Sequence, residues 1–151
     1  KTLELVHIKL KLETEFDSIA RVVSVKINDQ EHYTGYIDKS TIEIECTHCC
    51  TFGRKYCIQL MRQGKTNDCP EQLLKIVGLE IDGTNIRDLM WHTSIFYPEY
   101  PEPWASQQKG KGIELEYPVP GETILGHNGV WEFEFYSPFY QFLINKVKGY
   151  E

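Results

Sequence analysis

Apolar and polar residues alternate with a period of two through most of the chain, and this predicts strands. In LELVHIKLKL, Leu3 and Leu5 fall on one parity and Val6, Ile8, Leu10 and Leu12 on the other, which predicts a strand with a bulge near Val6. RVVSVKI alternates Val23, Val25 and Ile27, and NDQE supplies turn chemistry before HYTGYI. TIEIEC sets Ile42 and Ile44 against Glu43 and Glu45, as a strand with one wet face does. CTHCCTFG reads as a loop, KYCIQLM as the next strand and RQGKTNDCP as an exit rich in turn formers. LLKIVGLEI ends at Asp82-Gly83, a hairpin signal, and NIRDLMW fits either a short return strand or a turn of helix. VWEFEFY, with Trp131, Phe133 and Phe135 set against Glu132 and Glu134, is the clearest strand of all.

Helical periodicity enters only at the end. Ser137-Pro138 reads as an N-cap followed by proline at the first helical position. PFYQFLINKVK then places Phe139, Phe142, Leu143 and Val147 on one face, with Lys146 and Lys148 where the helix dipole favours cations and Gly149 as the stop. Eight or so short strands and one short C-terminal helix predict an all-β, jelly-roll-like antiparallel β-sandwich. No strand-helix alternation supports a doubly wound sheet. Residues 1–151 read as one domain, long enough to bury roughly 70% of the unfolded surface.

One stretch breaks the pattern. Between Trp91 and Trp131, five prolines (Pro98, Pro101, Pro103, Pro118, Pro120) share the chain with Phe96, Tyr97, Tyr100, Trp104 and Tyr117. Proline lacks a backbone donor and fixes its own φ, so neither a central strand nor a helix interior tolerates it at this density. The segment 92–129 therefore reads as a long, proline-stiffened loop, and such loops are often functional. Tyr97, Tyr100 and Trp104 form its candidate ring platform for a partner. Glu102, Gln107, Gln108 and Asn128 are the candidate polar neighbours.

Charge narrows the partners. Sixteen Lys and Arg against 22 Asp and Glu leave a net charge of −6. With no basic run, this argues against a phosphate-tracking nucleic-acid binder. Apolar runs are too short and interrupted to span a membrane. The opening KTLELVHIKLKL lacks the apolar centre of a signal peptide, which suits an intracellular or virion-borne chain or one whose leader has been removed.

Catalytic patterns are sparse. His7, His32, His48, His92 and His127 form no HExxH or paired helical spacing, and no GxSxG elbow or phosphate cradle occurs. His127, within Gly126-His-Asn-Gly129, reads as a turn residue. The carboxylates Glu99, Glu102, Glu114 and Glu116 surround the loop, but sequence assigns no catalytic pair among them. A non-enzymatic function is expected.

Two metal sets are conceivable. Asp82, Asn85 and Asp88 offer three oxygen side chains that calcium could use, without EF-hand spacing; an Asx turn accounts for the same residues. Five cysteines lie between Cys46 and Cys69. Reduced thiols, one local disulfide (Cys46 or Cys50 to Cys57 or Cys69), and zinc held by Cys46, Cys49, Cys57 and Cys69 with His48 nearby all fit their spacing. No cofactor is expected, with calcium the one candidate.

GLEIDGTNIRDLMW, YPEYPEPW, LGHNGVWEFEF and SPFYQFLIN give residues 76–145 a resemblance to small β-sandwich proteins of large-genome tailed phages of cyanobacteria and similar marine hosts. Their fold is similar to calcium-dependent, xylan-binding-type carbohydrate-binding modules. The resemblance implies a virion location and a non-enzymatic module that binds glycans or a neighbouring virion protein. The cysteine cluster is not part of that pattern. The alternative is a purely structural capsid-decoration, tail or baseplate subunit whose aromatic loop packs against a neighbour, or against a second copy in a homo-oligomer.

Overall fold

The alternating segments pair into two antiparallel sheets. The computed structural model describes residues 2–14, 21–37, 40–64 and 73–148. The first sheet contains β1 (Leu3–Thr14), β4 (Thr41–Thr51), β6 (Leu74–Ile81) and the two-residue strands β7 (Thr84–Asn85) and β10 (Ile124–Leu125). Its order is β10-β6-β1-β4, with β7 also on β6. The second sheet contains β2 (Arg21–Ile27), β3 (Gln30–Ile37), β5 (Lys55–Gln63), β8 (Ile95–Pro98), β9 (Val119–Pro120) and β11 (Gly129–Tyr136). It runs β3-β2-β5-β11-β8-β9. Three short helices complete the fold: α1 (Arg87–Thr93), α2 (Trp104–Gly110) and α3 (Phe139–Val147).

The core lies between the sheets. Val6, Ile8, Leu10, Leu12, Ile76 and Leu79 come from one sheet, and Val23, Val25, Ile58, Leu60, Trp131, Phe133 and Phe135 from the other. The parity of each strand decides which side chains enter, as burial of an apolar face requires. Arg62 also enters at full burial, and its Nη1 donates to the carbonyl of Leu125 on the opposite sheet. The outer face of β1 and β4 carries cross-strand charge pairs instead, such as Lys9 Nζ to Glu45 Oε1 at 3.8 Å.

Four local expectations need correction. There is no bulge at Val6: β1 pairs with β4 without a break from Leu3 to Glu13, and the irregularity lies at Lys11/Leu12 in the pairing with β6. Leu3 and Leu5 simply face outward, 58% and 70% exposed. Glu4 takes the inward parity because a backbone donor waits there: its Oε2 accepts the N–H of Phe139 at 2.8 Å and the hydroxyl of Ser137. Ser137 is thus not the N-cap of α3; Pro138 occupies that position and a carboxylate from β1 satisfies the helix start. CTHCC is strand rather than loop, since β4 runs on to Thr51 and turns only at Phe52-Gly53. Cysteine and threonine suit a half-buried pleated surface.

The fourth correction concerns the segment 92–129, which carries regular structure. The prolines sit at its boundaries: Pro98 ends β8, Pro120 ends β9, and Pro103 is the N-cap of α2. NIRDLMW resolves as α1, started by Asn85 Oδ1 accepting the N–H of Arg87 at 2.9 Å. Asp82 and Gly83 form the hairpin turn with φ of 51° and 80°. The stop at Gly149 lies outside the described residues.

α3 docks through rings. Phe142 meets Phe133, Phe135 and Tyr136 edge-on at centroid distances of 6.2, 6.5 and 5.1 Å. Phe139 and Phe142 are buried and Leu143 packs against the core, whereas Val147 is 80% exposed and does not share their face. Phe142→Ala should cost about 3–5 kcal/mol by denaturant titration. Val147→Ala should change stability by less than about 0.5 kcal/mol.

A histidine pair joins the two edge strands β3 and β4. His32 Nε2 lies 2.9 Å from His48 Nδ1, and the ring of His48 meets Tyr56 edge-on at 5.3 Å. Burial lowers both imidazoles below their ordinary 6.5, and for His48 the charge of His32 adds to the effect. The folded state therefore binds fewer protons than the unfolded one below pH 6.5. Stability should be level above that value and fall as pH drops from it toward the lowered folded-state values. Urea midpoints between about pH 7.5 and 5.5 should show this decline, and His32→Gln should flatten it.

Candidate functional site

α2 and the turn before β11 bring three rings together at one end of the sandwich. α2 follows the proline run, and Glu102 anchors its first turn: Oε1 accepts the N–H of Ser106 at 3.0 Å and its hydroxyl at 2.7 Å. These bonds hold the Glu102 carboxyl below its ordinary value. Trp104 opens the helix and stays 36% exposed. Its ring lies 6.1 Å from Tyr100 and 5.2 Å from His127, and Tyr100 meets His127 edge-on at 5.0 Å. The hydroxyl of Tyr100 donates to the carbonyl of Glu116. Burial, then the carboxylates of Glu116 and Glu122, raise the Tyr100 phenol above its ordinary value, so it remains a neutral donor.

The turn is held by the sheet below it. The N–H of Glu99 donates to the carbonyl of Asn128 at 2.7 Å, which ties the exit of β8 to the turn carrying His127. Gly129 makes this possible. Its φ is 152°, and a Cβ there would lie 2.3 Å from the carbonyl oxygen of Tyr97.

The sequence candidates separate on this frame. Tyr100 and Trp104 share the cluster, and Asn128 supplies its backbone tie. Glu102 serves its own helix, Gln107 is exposed on α2 and Gln108 is half-buried. Tyr97 stands apart, on the outer face of the second sheet, where its ring meets Tyr117 edge-on at 5.9 Å. His127 was legible only as a turn residue. Its single signal is the Gly-His-Asn-Gly turn immediately before the strongest strand.

The metal candidates do not converge. Cys46 faces the core, Cys49 is exposed on the outer face of the first sheet, and Cys57 lies on the outer face of the second. Successive residues of a strand point to opposite faces, so the zinc reading of Cys46, Cys49 and Cys57 is corrected by strand parity; Cys69 lies outside the described residues. Cys46, Cys49, Cys50 and Cys57 are free thiols, so none forms the local disulfide. Burial, with nearby carboxylates, pushes Cys50 and Cys57 up to about 12, which keeps them protonated. Of the calcium candidates, Asp82 Oδ1 accepts the N–H of His7 at 2.8 Å and Asn85 serves Arg87, while Asp88 sits in the first turn of α1. Among the described residues no group of three or more His, Cys, Asp or Glu is placed to hold a metal. No described helix is long and apolar enough to cross a membrane.

No protein-family model matches the chain, and no curated protein matches it either. A solved structure does: vCBM60 in complex with galactobiose superposes with a TM-score of 0.54 at 9% identity. The match covers 84% of this chain and 96% of that one. The chain shares the β-sandwich fold of that structure. At this identity the likeness concerns the β-sandwich and not individual side chains.

Replacing Cys46, Cys49 and Cys57 with serine should leave a single cooperative unfolding transition. EDTA should leave the thermal midpoint of the wild-type chain unmoved. Unfolding by the chelator alone would restore a structural metal.

Proposed function

We propose that this chain is a non-catalytic carbohydrate-binding module that holds a glycan against Tyr100, Trp104 and His127. The observation that carries the reading is the ring cluster itself: three mutually packed rings at a sandwich end, with the largest of them one-third open to solvent. An indole face offers the flat apolar surface that sugar CH groups pack against, while the carboxamide of Gln107 lies on the same short helix. The ring contacts and the helix anchor restrain the platform before any ligand arrives, which lowers the ordering cost of binding. The galactobiose complex of the structural neighbour supports a glycan as the ligand class.

The acids around the platform support binding over hydrolysis. Glu102 and Glu122 each accept a backbone N–H, from Ser106 and Ile124, and so act as anchors of local structure. The resemblance of residues 76–145 to phage β-sandwich proteins supports a place on a virion, where a host-surface glycan or a neighbouring virion protein would be the partner. Cosedimentation with purified particles tests that placement.

A glycan array followed by calorimetry tests the function. Trp104→Ala should weaken binding by about thirtyfold or more, the loss expected of a central ring anchor. The same change should lower stability by only about 1–2 kcal/mol. Trp104→Phe should recover part of the affinity. Absence of glycan binding by the wild-type chain, together with concentration-dependent oligomers in native mass spectrometry, would favour the purely structural subunit instead.

A further inference from the structure

Building on the glycan-binding reading, we infer that the site takes several sugar units of one neutral chain, because Tyr97, Tyr117, Glu132 and Gln59 continue the ring platform onto the outer face of the second sheet. Tyr117 is 63% exposed and its ring meets that of Tyr97 at 5.9 Å. The two ring groups adjoin each other. Tyr100 bonds the carbonyl of Glu116, the residue before Tyr117, and three residues of chain from Tyr97 to Tyr100 span at most about 10 Å. A ligand crossing Trp104 and Tyr100 therefore meets Tyr117 and Tyr97 next.

The register supplies polar groups beyond those rings. Tyr97 pairs with Val130, and Val130 with Met61; one step along, Ile95 pairs with Glu132, Glu132 with Gln59, and Gln59 with Lys26. Gln59 Nε2 donates to Glu132 Oε2 at 2.6 Å. An ionised carboxylate has about four acceptor sites, so Glu132 can accept sugar hydroxyls while it holds Gln59. Burial, followed by the charge of Glu132, raises the Tyr97 phenol above its ordinary value, so that hydroxyl stays a neutral donor.

This composition fits a sugar better than a protein partner. The Glu132–Gln59–Lys26 row is charged and polar, whereas the centre of a protein interface is depleted in charge. Glu132 and Glu134 on the same face disfavour a uronate chain through like-charge repulsion.

Calorimetry with galacto-oligosaccharides of two, four and six units tests the inference. Affinity should rise about tenfold or more from two to six units, and the Tyr117→Ala chain should bind all three lengths alike. Glu132→Gln should remove part of the gain, and far-ultraviolet melting confirms that both variants fold. Equal wild-type affinity for all lengths, or a length gain that survives Tyr117→Ala, would overturn the extended site and leave the Trp104 platform standing. No wild-type binding at any length would overturn the glycan-binding reading itself.

Discussion

Burial of the Trp131, Phe133 and Phe135 rings along one side of β11 is the constraint around which the other elements arrange themselves. These side chains are essentially inaccessible and sit on a central strand of the second sheet. Each fully buried aromatic contributes several kcal/mol that no surface contact in the molecule can match. With that face committed to the core, β5 and β8 must pair on either side, and the opposite face of β11 must be wet. α3 follows from the same commitment, because Phe139 and Phe142 can be buried only against rings already there.

Parity is the reason so much of this was legible. Val23, Val25 and Ile27, or Ile42 and Ile44, announce an inward face whatever the partner strand turns out to be. The failures come where a side chain serves something distant in sequence. Glu4 occupies a core-parity position to reach Phe139, 135 residues away, and no periodicity can express that bond. The displaced leucines at 3 and 5 then mimic a bulge. CTHCC looked like a loop because its inward residues, Cys46, His48 and Cys50, are not the aliphatic ones that announce a strand, while its pairing with β1 supplies the order. The prolines rule out a central strand or a helix interior, which suggested one long loop, but they stand at the ends of β8 and β9 and at the N-cap of α2, so short regular elements fit between them.

Sidedness also decides the chemistry of the cysteines. Clustering within a short span suggested a shared site, but consecutive strand positions diverge, and β4 and β5 belong to different sheets. Proximity in sequence is thus a poor guide to convergence within strands, though it serves well in turns and helices. The histidines make the converse case. His32 and His48 are 16 residues apart, and two edge strands on different sheets bring them within hydrogen-bond distance.

The candidate platform depends on the same close packing that holds the sheet together. Gly129 lets β11 approach the backbone of Tyr97 and Pro98 more closely than any side chain would allow. That approach positions Asn128 to accept the N–H of Glu99, and it sets His127 against Tyr100 and Trp104. The rings outside the core are therefore located by the rings inside it, through one glycine. Such coupling explains how a short turn and a seven-residue helix can present a defined surface. It also means that the surface inherits the order of the sandwich, so a ligand bound there would meet an arrangement that already exists.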